Sequence, residues 1–137
     1  MRAGLAGRAL SYSDARFSRD FVYVDDVCEA FVRTALNLRA EHYGASFNIG
    51  SGVRTTLEEI AALAQELFAL PEPARFGAYP HRIWDQPDWY ANPRRAAAAL
   101  DWRSTVTLRE GLARTRDWTQ AQAAVDPSAS IRRKAYG

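Results

Sequence analysis

Arg19-Asp20-Phe21-Val22-Tyr23-Val24-Asp25-Asp26-Val27 reads as a short β-strand running into a helix, with an arginine where the strand starts and a carboxylate where the helix starts. Just upstream, Ser13-Asp14-Ala15 supplies turn chemistry, so Phe17 to Val24 is the expected early strand. Residues 2–10 fit a short helix or turn, and Ala9 to Tyr12 fit the beginning of another strand. Downstream, Asp25 or Asp26 is placed to cap a helix that runs to about Arg39. Val27, Phe31 and Leu38, with Cys28, Val32, Ala35 and Leu36, give that helix a broad apolar face, which the pattern predicts to be buried. Glu29, Arg33 and Asn37 recur on the other side, where Glu29 and Arg33 can form a weak surface pair.

Farther along, Phe47-Asn48-Ile49-Gly50 is short, apolar and closed by glycine, as a buried strand is. Thr56-Leu57-Glu58-Glu59 is a capping box, and the helix it opens puts Leu57, Ile60, Ala61, Ala64, Leu67 and Phe68 on one face. Leu70-Pro71 ends it, because the residue before a proline is pushed out of helical geometry. Residues 71–92 are rich in proline and aromatics and carry no clear period. Asn92-Pro93 offers a cap and a first-turn proline for an alanine-rich helix to Leu100. Thr107-Leu108-Arg109-Glu110 is a second capping box, opening a final helix through Leu112 and Trp118. Residues 1–124 are therefore expected to form one domain, with residues 125–137 as a polar, disordered tail.

A chain of 137 residues is long enough to bury a real core. A net charge of +2 gives no electrostatic footprint for nucleic acid or a membrane surface, so neither is an expected partner. No apolar run is long enough to span a bilayer, and Met1 to Gly7 lacks the apolar core of a secretory signal. The expected location is the cytoplasm. Cys28, the only cysteine, sits in the apolar helical pattern and is expected to be a buried small hydrophobe in a reducing compartment. His42 and His81 have no cysteine or carboxylate at metal-ligand spacing, so no metal site is expected.

Four segments in order carry a resemblance. Arg19 to Val27 resembles the RDFxYVxDV segment of the extended short-chain dehydrogenase/reductases, the NAD-dependent epimerase/dehydratase family that remodels nucleotide-activated sugars. Phe47-Asn48-Ile49-Gly50-Ser51-Gly52 followed by Thr56-Leu57-Glu58-Glu59-Ile60 resembles that family's strand, glycine turn and capped helix. Arg82-Ile83-Trp84-Asp85-Gln86-Pro87, then Ala91-Asn92-Pro93-Arg94-Arg95-Ala96, is similar to its RxGDxx…ADxSKA segment. Leu100-Asp101-Trp102, Leu108-Arg109-Glu110-Gly111-Leu112 and Trp118 resemble its ending. The resemblance covers nearly everything from Leu10 to Trp118. The resemblance implies an α/β fold: the C-terminal part of an extended Rossmann-type enzyme, helices with edge strands and a small mixed sheet.

It also implies roles. Arg19 and Arg82 stand where the family places arginines against a nucleotide pyrophosphate, Asp85 where a carboxylate accepts from the ribose hydroxyls, and Phe21 where an aromatic lines the nucleotide pocket. The chemistry is apt in its own right. A guanidinium is a planar fork for phosphate oxygens, and a carboxylate is an acceptor-only partner for a diol. Without the motif, Arg19 would read as a solvated strand-end arginine, and Arg82 with Asp85 as a surface ion pair. Asp26 reads as a helix cap rather than a catalytic acid. Trp84, Trp89 and Tyr90 could stack on a base, although aromatics in such loops more often pack against the core.

The chain departs from the family at its front. Gly4 and Gly7 share only one spacing of a Gly-x-x-Gly-x-x-Gly loop, and no tyrosine has a lysine four residues later. Asp101 replaces the glycine of the LGW ending. NAD or NADP therefore belongs to the complete family enzyme, and this chain alone is expected to bind neither and to catalyse nothing. The resemblance implies the nucleotide-sugar-binding portion of an epimerase/dehydratase, partnered by a cofactor domain or by self-association. The alternative is a stand-alone non-catalytic binder or a remnant acting as an interaction module. Without a cofactor domain, the helix after Val24 and the strand at Phe47 to Gly50 would expose an apolar face and an open edge.

Overall fold

A computed structural model of the chain describes residues 2–79, 84 and 86–125. The elements run α1 (Arg2–Leu5), β1 (Ser18–Arg19), α2 (Val24–Asn37), β2 (Thr55–Thr56), α3 (Leu57–Phe68), β3 (Asp88–Trp89), α4 (Arg94–Leu100) and α5 (Leu108–Val125). The architecture is α/β. Its described strands form one mixed sheet in the order β2-β1-β3, β1 pairing antiparallel with β2 and parallel with β3. Arg19 lies opposite Thr55 on one side and Trp89 on the other.

The expected strand over Phe17 to Val24 shrinks to Ser18–Arg19. Beyond Arg19 the neighbouring backbone turns its N–H groups to the Asp20 side chain instead of to a ladder, and the helix opens at Val24. Side chains brace the short ladder at its other end too. Ser18, fully buried, donates from Oγ to Asp88 Oδ1 at 2.7 Å, and Arg54 Nε reaches the same oxygen at 2.6 Å. Phe47 to Gly50 forms no strand. Phe47 and Ile49 turn inward and Asn48 outward, as in a strand, but no neighbour among the described residues pairs with them.

The core gathers Ala30 of α2, Ala96 and Leu100 of α4, and Trp102, with Val22, Phe47, Ile49 and Ala99 packed around them. The Trp102 indole N–H donates to Asp26 O at 2.8 Å, satisfying the one polar atom of a buried ring. Small Ala30 and Ala96 let α2 and α4 approach closely. This choice of contact inverts the amphipathic reading of α2. Its buried residues are Asp26 and Ala30, and Arg33 and Asn37 face α4. α4 ends with Asp101 in the left-handed region (φ 51°), leaving its last carbonyls open. Arg33 donates to Asp101 O and Oδ2 at 2.8 and 2.9 Å, and Asn37 to Leu100 O at 3.2 Å.

The apolar side of α2 consequently faces solvent. Phe31 is 73% exposed and Leu36 77%, with Val24 and Val32 also open. Cys28, expected in the core, is exposed on the same side because nothing among the described residues covers it. Phe17, Ala61, Ala64 and Leu70 are buried as well, and α1 lies against α3 and α5.

The first capping box is as read. Thr56 Oγ1 accepts from Glu59 N at 3.1 Å, and Thr56 N donates to Glu59 Oε2 at 2.7 Å. α3 stops at Phe68 because Ala69 turns left-handed (φ 48°), allowing Leu70 N to close back on Gln65 O at 3.0 Å. The helix therefore ends before proline's influence arrives. At α5 only half of the second box forms. Thr107 Oγ1 accepts from Glu110 N at 3.3 Å, while the Glu110 carboxylate turns to Arg114. α4 begins one residue later than expected, with Asn92 Oδ1 accepting from Arg94 N at 3.2 Å.

Asp26 is the largest surprise of the fold. It caps nothing at the start of α2, where Tyr23 stands at the cap position without a side-chain bond. Its carboxylate instead accepts from Ser104 Oγ, Thr105 N, Thr105 Oγ1 and Val106 N, at 3.1, 3.1, 2.8 and 3.0 Å. Burial pushes this carboxyl up, but the hydrogen bonds outweigh it and hold it below the usual carboxylate range. Asp26 is thus the tie between α2 and the loop that leads into α5.

Candidate functional site

Arg19 lies at the rim of an open cavity of about 450 Å³, which it lines with Asn48, Ile49, Trp89, Tyr90 and Ala91. The parallel pairing of β1 with β3 sets Arg19 beside Trp89, so guanidinium and indole stand on one side of the sheet. Arg19 Nη1 donates to Ser18 O at 2.6 Å and Gln86 O at 3.0 Å, and the guanidinium stands 5.8 Å from the Phe17 ring centre. Among the described residues no carboxylate pairs with it. An oriented cation held by neutral carbonyls keeps its charge for an anion. Trp89 is 65% exposed and Tyr90 and Trp84 are open as well, so these rings do not pack into the core.

Asp20 also borders the cavity, but its carboxylate is committed elsewhere. Oδ1 accepts from Ser51 N at 2.8 Å and Ser51 Oγ at 2.5 Å, and Oδ2 from Gly52 N at 2.9 Å and Ala91 N at 3.1 Å. Burial works to raise this carboxyl, and the bonds from Ser51, Ala91 and Gly52 carry it below the usual range instead. Gly52 (φ +74°) supplies the left-handed turn that aims two successive N–H groups at it.

Phe21 is placed elsewhere. It lines a separate cavity of about 330 Å³ with Val53, Thr55, Thr105, Val106 and Leu108. The structure therefore does not bring Phe21 together with Arg19. Arg82 and Asp85 lie outside the described residues. Asn48, Trp89 and Tyr90 enter the cavity's wall, and Asp20 underpins it. The sequence signal for Asp20 was a carboxylate between Arg19 and the apolar Phe21-Val22, and for Asn48 a polar residue between Phe47 and Ile49.

The glycines near the start of the chain do not fit a dinucleotide. Gly4 lies within α1 against the Phe68 ring, where a Cβ would come within 2.8 Å, and Gly7 (φ +65°) ends that short helix. They serve packing and a turn. Among the described residues no helix is long and apolar enough to cross a membrane.

Residues 1–50 match the model of the NAD dependent epimerase/dehydratase family. The chain is 35% identical over 112 residues to a UDP-glucose 4-epimerase of Mycolicibacterium smegmatis, covering 81% of this chain and 34% of that protein. It also superposes on the UDP-glucose 4-epimerase of Thermotoga maritima solved with UDP-glucose (TM-score 0.72, 26% identity, 88% of this chain and 37% of that one). The enzyme WbmF of Bordetella bronchiseptica, solved with NAD+ and UDP, matches with a TM-score of 0.74 at 29% identity, over 96% of this chain and 37% of that one. The chain spans about a third of the length of the curated relatives it matches. On its sequence, its mixed sheet and its helices, the chain belongs to the NAD-dependent epimerase/dehydratase family and corresponds to part of a full-length member.

Proposed function

We propose that this chain is the nucleotide-sugar-binding portion of an epimerase/dehydratase, with Arg19 holding the diphosphate of the substrate. The observation that carries the reading is an arginine with no carboxylate partner among the described residues, at the rim of a cavity walled by Asn48, Trp89 and Tyr90. A guanidinium takes phosphate oxygens in paired, charge-assisted hydrogen bonds, and an exposed indole offers a flat face to a base or sugar. Arg82 completes the grip on the diphosphate and Asp85 takes the ribose hydroxyls. Phe21 acts from its neighbouring cavity rather than from the phosphate site. The relatives solved with UDP or UDP-glucose support this ligand class.

The open side of α2 supports the rest of the reading. Phe31, Val32 and Leu36 form an apolar strip that a cofactor-binding domain would cover, in the same chain or from another. That domain would bring NAD or NADP and the catalytic residues, so epimerisation or dehydration would need both parts, in the cytoplasm. Residues 1–124 act as the binding unit, with residues 125–137 as a tail.

Calorimetric titration of UDP into the wild-type chain and into Arg19→Ala tests the proposal. Arg19→Ala is expected to weaken binding roughly ten- to a hundredfold, the loss of a charge-assisted contact. Wild-type chain that takes up no UDP or UDP-sugar would sink it. If α2 instead binds a protein partner indifferent to Arg19 and to nucleotide, the interaction-module reading holds.

A further inference from the structure

We infer that Asp20 is a positioning residue of the nucleotide site: its carboxylate holds the Trp89–Ala91 wall and the Ser51 turn in register with Arg19. The inference rests on the reading of the cavity as a nucleotide diphosphate site. The cavity is built from three segments far apart in the chain, ending at Asp20, at Ile49 and at Ala91. Backbone pairing alone secures them poorly, because β1 and β3 share only two residues each and pair in parallel. Where that ladder stops, Asp20 takes over. Oδ2 receives Ala91 N and Gly52 N, and Oδ1 receives both polar groups of Ser51.

Two features separate this role from contact with ligand. A carboxylate offers about four acceptor positions, and all four are filled from the protein. A negative side chain beside a diphosphate would also repel it unless its charge were already absorbed by donors, as it is here. The fit around the carboxylate is tight as well. A Cβ on Gly50 would stand 2.6 Å from Asp20 Oδ2 and 2.7 Å from the Ala91 Cβ, so this junction admits no displacement of the Ala91 segment toward the turn. Trp89 lies two residues before Ala91 and opposite Arg19 in the ladder, which makes it the side chain that reports the clamp.

The test is a double-mutant cycle read by UDP titration, using the wild-type chain, Asp20→Asn, Trp89→Ala and the double variant, with thermal melts of each. An amide keeps one acceptor oxygen and adds a donor that faces N–H groups, so Asp20→Asn is expected to weaken UDP binding about tenfold. In the Trp89→Ala background the same change should cost no more than about twofold, the tolerance of independent sites. Equal UDP binding by Asp20→Asn, or an undiminished loss in the Trp89→Ala background, would overturn the positioning role. Should Asp20→Asn fail to melt cooperatively, Ser51→Ala makes the same comparison while leaving the carboxylate in place. A smaller loss of affinity, again dependent on Trp89, is then expected, and no loss overturns the inference. Failure of the wild-type chain to bind UDP removes the nucleotide reading and this inference together. Failure confined to the Asp20 and Ser51 comparisons removes the inference alone.

Discussion

Replacing Asp26 with alanine takes away an acceptor that receives four hydrogen bonds from Ser104, Thr105 and Val106. Asp26 is only 5% exposed, so solvent screens these bonds little. The Ser104 and Thr105 hydroxyls can rotate toward water, but the backbone N–H groups of Thr105 and Val106 lose their partner. A hydrogen bond to a charged group contributes about 1.5–3 kcal/mol. Those two donors alone therefore set a loss of about 3–6 kcal/mol, trimmed because neighbours in one network do not add fully. Set against a total of about 5–15 kcal/mol for a domain, that is enough to leave the variant barely folded. Asp26→Asn keeps one acceptor oxygen and should lose about half as much.

The sign of the pH effect follows from the depressed carboxyl. The folded state holds Asp26 below its ordinary value of about 3.9, so as pH falls the unfolded chain takes up the proton first. The contribution is whole above that ordinary value and disappears as pH drops through the folded one. Asp20 adds in the same sense. Urea titrations followed by circular dichroism, at neutral pH and near pH ~3, below the ordinary carboxyl value, measure both effects. The wild type should weaken on acidification and Asp26→Asn should weaken less steeply. A loss below about 1 kcal/mol for Asp26→Ala, or an Asn variant with the wild-type pH slope, would refute the reasoning.

Three other substitutions probe separate links. Gly50→Ala drives a methyl group into Asp20 Oδ2 and Ala91, and should destabilise by about 1–3 kcal/mol in the same denaturation assay; a neutral result would mean the junction is looser than described. Ala69→Gly relieves a left-handed alanine at the end of α3, and should add about 1 kcal/mol, seen as a melting temperature higher by several degrees rather than unchanged. Phe31→Ser with Leu36→Ser should reduce self-association in sedimentation velocity and leave the melting temperature nearly unmoved. A large drop in melting temperature would show that these side chains are buried after all.

Elements specified by local chemistry were legible. Thr56 and Glu59 announce the start of α3, and the four-residue spacings announce α2. What misled was the assignment of faces and partners. α2 buries Ala30 rather than Phe31, because close approach to Ala96 and Leu100 needs a small residue and the apolar side has no cover within the described chain. Asp26 sits where a cap belongs, yet its bonds go to residues some 80 positions away. No local rule anticipates that partner. The motif singled out Arg19, and the structure sets it at the rim of a cavity. Trp89 and Tyr90 were legible as candidate stacking rings, but their place beside Arg19 follows from the register of β1 against β3, and Asn48 joined them only through the cavity.

The two aspartates also set the order in which the chain can assemble. Asp20 waits for Ala91, 71 residues on, and Asp26 for Val106, 80 residues on. During synthesis at about 5–20 residues per second, both carboxylates stay hydrated for several seconds while α2 waits for α4. Contacts this distant in sequence carry the loop-closure cost that slows folding. An early stop near residue 90 would leave α2 without α4, Asp20 without Ala91 and Asp26 without Thr105, so no shorter N-terminal piece inherits the structure. The stretch through Val106 has to arrive before both carboxylates are tied.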